Sequence, residues 1–349
     1  MCIVLATTAH PDYALIVIDN RDEFILRPTS RPHWWSSGSQ DILSARDLQR
    51  AEQGTWLGIT RSGNFAVLTN YRETDTNDKD HPVQGQRSRG GMVTAWMTAP
   101  VDETTTEFVH RLLSGEGVKG VGGFSLVCGK LRKHFVGNQK ELEPMAIVSN
   151  RSGIADEVPW IGGKRNEVYG LSNTSYDDPE PWPKVEMGKE KLLQVVDETV
   201  QNQLSEEELV ARLYDILDTD TLPLQSGEDF EEYIYHLRKS IFIPSIGSAD
   251  PVSQIPKAED IAAAEPLTNG HKDLDLREFA PAANQAGMSG IYGTHRQTIM
   301  LVKWDGTVSL RERALWDDEG NPIPRGKADM AFEFKVEGWD GKGQQNGIH

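Results

Sequence analysis

The sequence predicts a layered α+β fold. Three observations carry that expectation. Apolar β-type runs sit near both ends of the chain, helical periodicity is confined to the middle, and tight-turn signals join neighbouring runs as hairpins rather than as βαβ crossovers. The 349 residues amount to about two domains of roughly 150 residues, or one large domain with insertions.

The elements follow in order. Ile3-Val4-Leu5 opens the first apolar run, Pro11-Asp12 marks a turn, and Tyr13 to Ile18 forms a second run. Trp56 to Thr60 and Phe65 to Thr69 flank Ser62-Gly63-Asn64 as a second hairpin, and Gly123 to Cys128 reads as a further strand. Thr105 to Leu113 and Gly188 to Leu204 have weaker helical patterns. Ser205-Glu206-Glu207-Glu208 is a capping box, in which the Ser hydroxyl and the Glu208 carboxylate satisfy free N–H groups at a helix start. Leu209, Leu213, Ile216 and Leu217 then form one apolar face. Thr298 to Trp304 and Thr307 to Arg311 surround Asp305-Gly306, a two-residue turn signal. Residues 245–289 are rich in Ala, Pro, Asp, Ser and Asn without apolar periodicity and read as a flexible insertion, and the Gly- and Gln-rich end, 341–349, reads as a disordered tail.

Composition excludes several function classes. The net charge is −17, from 36 Lys+Arg against 53 Asp+Glu, and no basic run occurs, which disfavours nucleic acid and anionic lipid as bulk-charge partners. Two cysteines, Cys2 and Cys128, do not make a disulfide framework and suit a reducing compartment. The apolar run Ala14 to Ile18 is too short for a membrane span of roughly 20 residues and follows no basic segment. The expectation is a soluble, cytoplasmic protein without a transmembrane segment; oligomeric state is left open. The nine histidines show no HxxxH, HExxH or CxxC spacing, so no metal is expected. Gly115 to Gly120 formally matches GxGxxG, but it follows a helix and precedes a strand, the reverse of a dinucleotide site.

Four features carry chemistry. Cys2 follows Met1, and a side chain this small normally permits removal of the initiator, leaving a thiol and a free α-amine on one residue. An unperturbed α-amine titrates at about 8, so it can serve as a base, and its ammonium form favours the thiolate; nucleophile and base in one residue is the logic of N-terminal nucleophile catalysis. Asn20-Arg21-Asp22-Glu23 follows an apolar run directly, so a core strand would carry these polar groups at its end. Asp22 or Glu23 would hold the Cys2 ammonium, and Arg21 would polarise a carbonyl or neutralise a carboxylate. Val67 to Tyr71 and Tyr169 to Asn173 both run apolar, then Thr or Ser, then Asn, which places Asn70 and Asn173 as oxyanion donors.

Together with Gly54 to Ile59, Ser88-Arg89-Gly90 and Tyr292-Gly293-Thr294, these blocks resemble the NRDE family of transport and Golgi organisation proteins, over roughly residues 1 to 215 and 290 to 336. The Met-Cys start is also similar, more distantly, to penicillin V acylases and bile salt hydrolases. The resemblance implies a four-layer αββα sandwich of N-terminal nucleophile hydrolase type, as a single domain over 1–340. It implies Cys2, Asp22, Asn70 and Asn173 as catalytic residues acting on an amide or thioester, with Asn20, Arg21, Glu23, Tyr71, Arg89 and Arg296 lining the substrate site. Asp19 stands where those acylases carry Arg, and Arg21, as its replacement, is expected on the opposite face of the strand. The family further implies links to Golgi organisation, lipid or acyl-CoA metabolism and haem trafficking, with Golgi or mitochondrial association. No cofactor is required; acyl-CoA, lipid or haem would be a bound ligand. The alternative implied is a non-catalytic carrier of such a ligand.

Overall fold

The computed structural model describes residues 1–73, 85–114, 117–151, 158–223, 235–246 and 291–341. In chain order these form β1 (Ile3–Thr7), β2 (Tyr13–Phe24), β3 (His33–Ser37), β4 (Gln40–Ser44), β5 (Leu57–Thr60), β6 (Asn64–Asn70), α1 (Gly90–Met97), α2 (Thr105–Ser114), β7 (Phe124–Lys130), β8 (Lys133–Val136), β9 (Gln139–Leu142), β10 (Met145–Ser149), β11 (Trp160–Ile161), β12 (Val168–Leu171), α3 (Pro183–Asn202), α4 (Glu206–Leu217), β13 (Tyr292–Lys303), β14 (Thr307–Ala314) and β15 (Met330–Lys335). One sheet has the order β12-β1-β2-β13-β14-β15, a second the order β11-β10-β7-β6-β5-β4-β3, and β8-β9 is a separate hairpin.

The two-residue alternation of each strand sorts its side chains into layers. Val4, Ala6 and Val17 of the first sheet meet Leu57, Ile59, Phe65, Val67 and Val127 of the second. On the other face of the first sheet, Ile3, Leu5, Ile16, Ile18, Ile299 and Leu301 pack on α3 and α4 through Leu192, Val196, Leu209 and Leu213. Leu126, Ala146 and Val148 of the second sheet pack on α1 and α2 through Met92, Trp96, Phe108 and Leu112. Helices, sheet, sheet, helices: the molecule is an αββα sandwich.

Local chemistry explains most elements. Ser205 accepts from the Glu208 N–H while the Glu208 side chain accepts from the Ser205 N–H, so α4 starts at the capping box. Helix α3 starts five residues earlier than the periodicity suggests, because Pro183 at its first position has its φ pre-set and no N–H to leave unpaired. Helix α1 lies outside the expected elements. Six of its eight residues are buried, and a helix without a polar face carries no amphipathic signal.

The main correction concerns β2. It runs through Phe24 rather than ending near Ile18, so Asn20 to Glu23 form the body of a strand paired with β1 on one side and β13 on the other. The expected insertion lies outside the described residues from 247 to 289, as does the tail from 342. Ile246 and Tyr292 exchange two backbone hydrogen bonds of 2.8 and 2.9 Å. Among the described residues no helix is long and apolar enough to cross a membrane.

Candidate functional site

The β1–β2 register sets Ile3 opposite Asn20 and brings the chain start onto the Asn-Arg-Asp-Glu segment. The Met1 amine forms a 3.0 Å ion pair with Asp22 Oδ2 and donates to the Tyr292 hydroxyl. The other Asp22 oxygen accepts from Thr294 Oγ1 at 2.7 Å. Cys2 Sγ donates to the Asp22 main-chain carbonyl at 3.7 Å. The segment after β12 closes the other side. Ser172 Oγ donates to the Cys2 carbonyl at 2.7 Å, Asn173 Nδ2 donates to the Asn70 carbonyl at 2.5 Å, and the Arg72 N–H donates to the Asn173 carbonyl at 2.8 Å. The ends of β6 and β12, one from each sheet, are thus tied together beside Cys2.

Alternation along β2 separates the four residues of its polar segment. Asn20 and Asp22 face the helical layer, where Asn20 Nδ2 donates to the Leu217 and Ile241 carbonyls at 2.8 and 2.9 Å. Asp19, Arg21 and Glu23 face the second sheet. Arg21 lies 4.2 Å over the Trp56 ring, with Nη1 2.8 Å from His295 Nδ1 and Nη2 3.5 Å from Glu23. Residues two apart share a strand face, so Arg21 is on the same side as Asp19, and the expectation that it points oppositely is corrected. Glu23 is also 3.7 Å from Arg27. Arg89 donates to the Gly123 carbonyl at 3.4 Å and is near enough to Glu23 and Cys2 to act on both electrostatically.

The structure therefore brings Cys2, Asp22, Asn173 and the Asn70 main chain together, with Arg21, Glu23 and Arg89 around them. Three candidates make contacts of their own. Asn20 is committed to the helical layer. Tyr71 lies among Asp178, Glu73 and Arg151, whose charges act on its phenol. Arg296 is buried and donates to the His295 and Trp316 carbonyls at 3.1 and 2.9 Å.

Burial dominates the electrostatics. It pushes the Cys2 thiol up to about 11; the N-terminal ammonium opposes this, while Asp22 and Asp19 add to it. Burial also lowers the pKa of the α-amine, against the pull of Asp22. Asp19 is pushed up to about 8, chiefly by burial and further by Asp22, and its Oδ2 is buried without a hydrogen-bond partner among the described residues. Burial thus opposes the charged form of both groups, the thiolate and the ammonium. Among the described residues no group of three His, Cys, Asp or Glu is placed to hold a metal ion.

One site residue is absent from the sequence reading. Lys184, in the first turn of α3, is 0% exposed and donates from Nζ to the Met1 carbonyl at 2.5 Å. Its pKa is lowered by burial, against the attraction of Asp22 and Cys2. The Trp182-Pro183 helix start was a usable signal for its position. Its burial was not legible, because lysine is ordinarily a surface residue.

Fold and site together define a class: an αββα sandwich that sets a cysteine at position 2 against a carboxylate, a terminal amine and a buried lysine. Residues 1–317 match the family Transport and Golgi organisation 2, and the chain belongs to that family. It is 27% identical over 314 residues to the human "Transport and Golgi organization protein 2 homolog", covering 88% of each chain. Two solved structures are loosely similar. A mutant conjugated bile acid hydrolase from Clostridium perfringens gives a TM-score of 0.36 at 8% identity, over 98% of this chain and 94% of that one. Penicillin V acylase from Agrobacterium tumefaciens gives 0.35 at 11%, over 97% and 87%. No residue role is carried across from either.

Proposed function

We propose that, once Met1 is removed, Cys2 acts as an N-terminal nucleophile on an acyl group held in an amide or thioester. The observation that carries this reading is the assembly of thiol, terminal amine and carboxylate at one buried point: Met1 N lies 3.0 Å from Asp22 Oδ2, and Cys2 Sγ lies 3.7 Å from the Asp22 carbonyl. With Met1 gone, the free amine is that of Cys2, and Asp22 is the carboxylate in reach to orient it. A thiol pushed up to about 11 needs a base, and burial of the kind that lowers the pKa of the Met1 amine would suit a Cys2 amine standing in its place to be one.

The proposed cycle moves the Cys2 thiol proton to its own α-nitrogen as the thiolate attacks the carbonyl carbon. The C–S bond forms and the carbonyl pair moves to oxygen, where the amides of Asn70 and Asn173 serve as donors. The oxyanion collapses, the ammonium returns the proton to the leaving amine or thiolate, and water hydrolyses the acyl-enzyme with the amine again as base. An acyl group carried on lipid or coenzyme A is the substrate class in keeping with the apolar interior and with the transport and Golgi organisation in the family's name, and we place the protein in the cytoplasm at Golgi or mitochondrial surfaces.

A second reading is a carrier of an acyl, lipid or haem ligand without turnover. The apolar space between the sheets, lined by Val4, Ala6, Val17, Phe65, Val67 and Ile147, is only about 20 Å³, so such a ligand would have to part the sheets to enter there. The two readings separate on a panel of acyl thioesters and amides. Turnover by the native chain that is lost in Cys2→Ser supports the nucleophile; binding without turnover in both chains supports the carrier.

A further inference from the structure

Among the described residues the Lys184 ammonium has a single hydrogen-bond acceptor, the Met1 carbonyl. Its ring contact with Trp182, at 5.5 Å, is a weak substitute. A fully buried ammonium that loses its acceptor is costly, and removal of Met1 takes that acceptor away. The same event vacates a residue-sized space. Met1 is 8% exposed, packs in the apolar cluster under α3 and α4, and has its sulfur 4.0 Å from Arg72 Nη1. What remains after processing is an apolar slot beside Cys2 with an unsatisfied cation at its inner end.

Met1 itself shows what the slot fits. It is an acyl group on the Cys2 nitrogen: a carbonyl oxygen on Lys184 and an unbranched chain along the apolar wall. Hexanoate matches it atom for atom from the carbonyl carbon to the terminal methyl, and lacks only the amine, whose place at Asp22 falls to Cys2. Resting on the acyl-site reading above, we propose that Lys184 is a ligand-binding residue of the processed protein and that its ammonium receives the carbonyl or carboxylate oxygen of a short, unbranched acyl group seated where Met1 lies in the unprocessed chain. The substrate class narrows accordingly, to straight-chain acyl groups of about the length of a methionyl residue.

The test uses binding rather than turnover, so that it survives failure of the catalytic reading. Chains carrying Cys2→Ser lose Met1 as readily, because serine is also small, and cannot turn a ligand over through a thiol. In that background, hexanoate and hexanamide are titrated calorimetrically into the parent, Lys184→Met and Lys184→Arg chains. The expected result is hexanoate binding weakened at least tenfold in Lys184→Met and largely kept in Lys184→Arg, with hexanamide weakened by a smaller factor, because its neutral carbonyl loses a hydrogen bond but no ion pair. A pH series adds a readout that a packing role would not move. The charged or titratable groups acting on Lys184 are Asp22 of β2, residue 2 and the terminal amine; Tyr292 of β13 bonds that amine, and Arg72 lies at the far end of the slot. Hexanoate affinity is expected to fall as pH rises through the lowered pKa of Lys184, and to fall later in Lys184→Arg. Unchanged hexanoate affinity in Lys184→Met, or absence of hexanoate binding to the parent, overturns the proposal. Should Lys184→Met not fold, the hexanoate-to-hexanamide ratio and its pH dependence in the parent decide the matter alone. Loss of turnover in native chains with the Lys184 effect intact would remove the nucleophile and leave the slot.

Discussion

The two cysteines are enclosed by different chemistry, one by an apolar helical layer and the other by the polar cluster at the chain start. Cys128 faces α1 and α2 among Trp96, Phe108 and Leu126 and is 0% exposed. Burial alone acts on its thiol and raises its pKa far above the ordinary range. Cys2 lies just before β1, half-buried, next to the point where Asp22, Lys184, the terminal amine and the Tyr292 hydroxyl meet. Its thiol is also raised by burial, but the ammonium pulls it back. The contrast teaches that enclosure by itself makes a thiol inert. A thiol becomes addressable when enclosure comes with a proton acceptor and an opening.

The sharpest way to break this contrast is to remove each sulfur in turn. Cys2→Ser is expected to lower acyl turnover at least about a hundredfold, because a serine hydroxyl supplies so little alkoxide near neutral pH. Cys128→Ser should keep turnover while lowering stability by about 1–3 kcal/mol, the cost of a hydroxyl placed among apolar groups. Steady-state rates and urea melts of the two variants check both.

A second test sharpens the electrostatic side. The Asp19 carboxyl is held at about 8 in the folded chain against an ordinary 3.8, so between those values the folded state keeps a proton that the unfolded state releases. Stability must then fall as pH rises from about 4 through about 8. Asp19→Asn removes this dependence. At about pH 9 it should be more stable than the parent by on the order of a few kcal/mol, at about 1.4 kcal/mol per unit of pKa, and melt at a higher temperature, and the advantage should shrink as pH falls toward 4. Equal melting curves across the series would show that Asp19 is solvated.

The smallest effect separates fold from site. Ser205→Ala removes the side-chain cap of α4 and should cost about 1 kcal/mol, without altering the rate at which a thiol reagent labels Cys2. A changed labelling rate would mean that α4 positions the chain start.

How far the sequence spoke depended on how local each cause was. The capping box at Ser205, the Asp305-Gly306 turn and the Ile3 and Phe65 strands rest on neighbours in sequence, and all could be read. Asn20 to Glu23 looked like a strand end because polar residues in a core strand need partners, and theirs come from far away: Leu217 and Ile241 for Asn20, Thr294 for Asp22, Trp56 and His295 for Arg21. Cys2 and Asp22 were legible as a pair through their chemistry and the family resemblance. Lys184 was not, because a lysine in a helix signals solvent until its distant acceptor, the Met1 carbonyl, is known.

The central claim is that the processed chain carries an acyl group on Cys2. The most direct measurement is the intact mass and peptide map of protein from its native cells, before and after exposure to a short straight-chain acyl thioester. The account predicts a chain lacking Met1 that gains one acyl mass on the Cys2 peptide, loses it to hydroxylamine, and shows no gain in Cys2→Ser. A chain that retains Met1, or a processed chain that neither gains the acyl mass nor consumes the thioester, would contradict it.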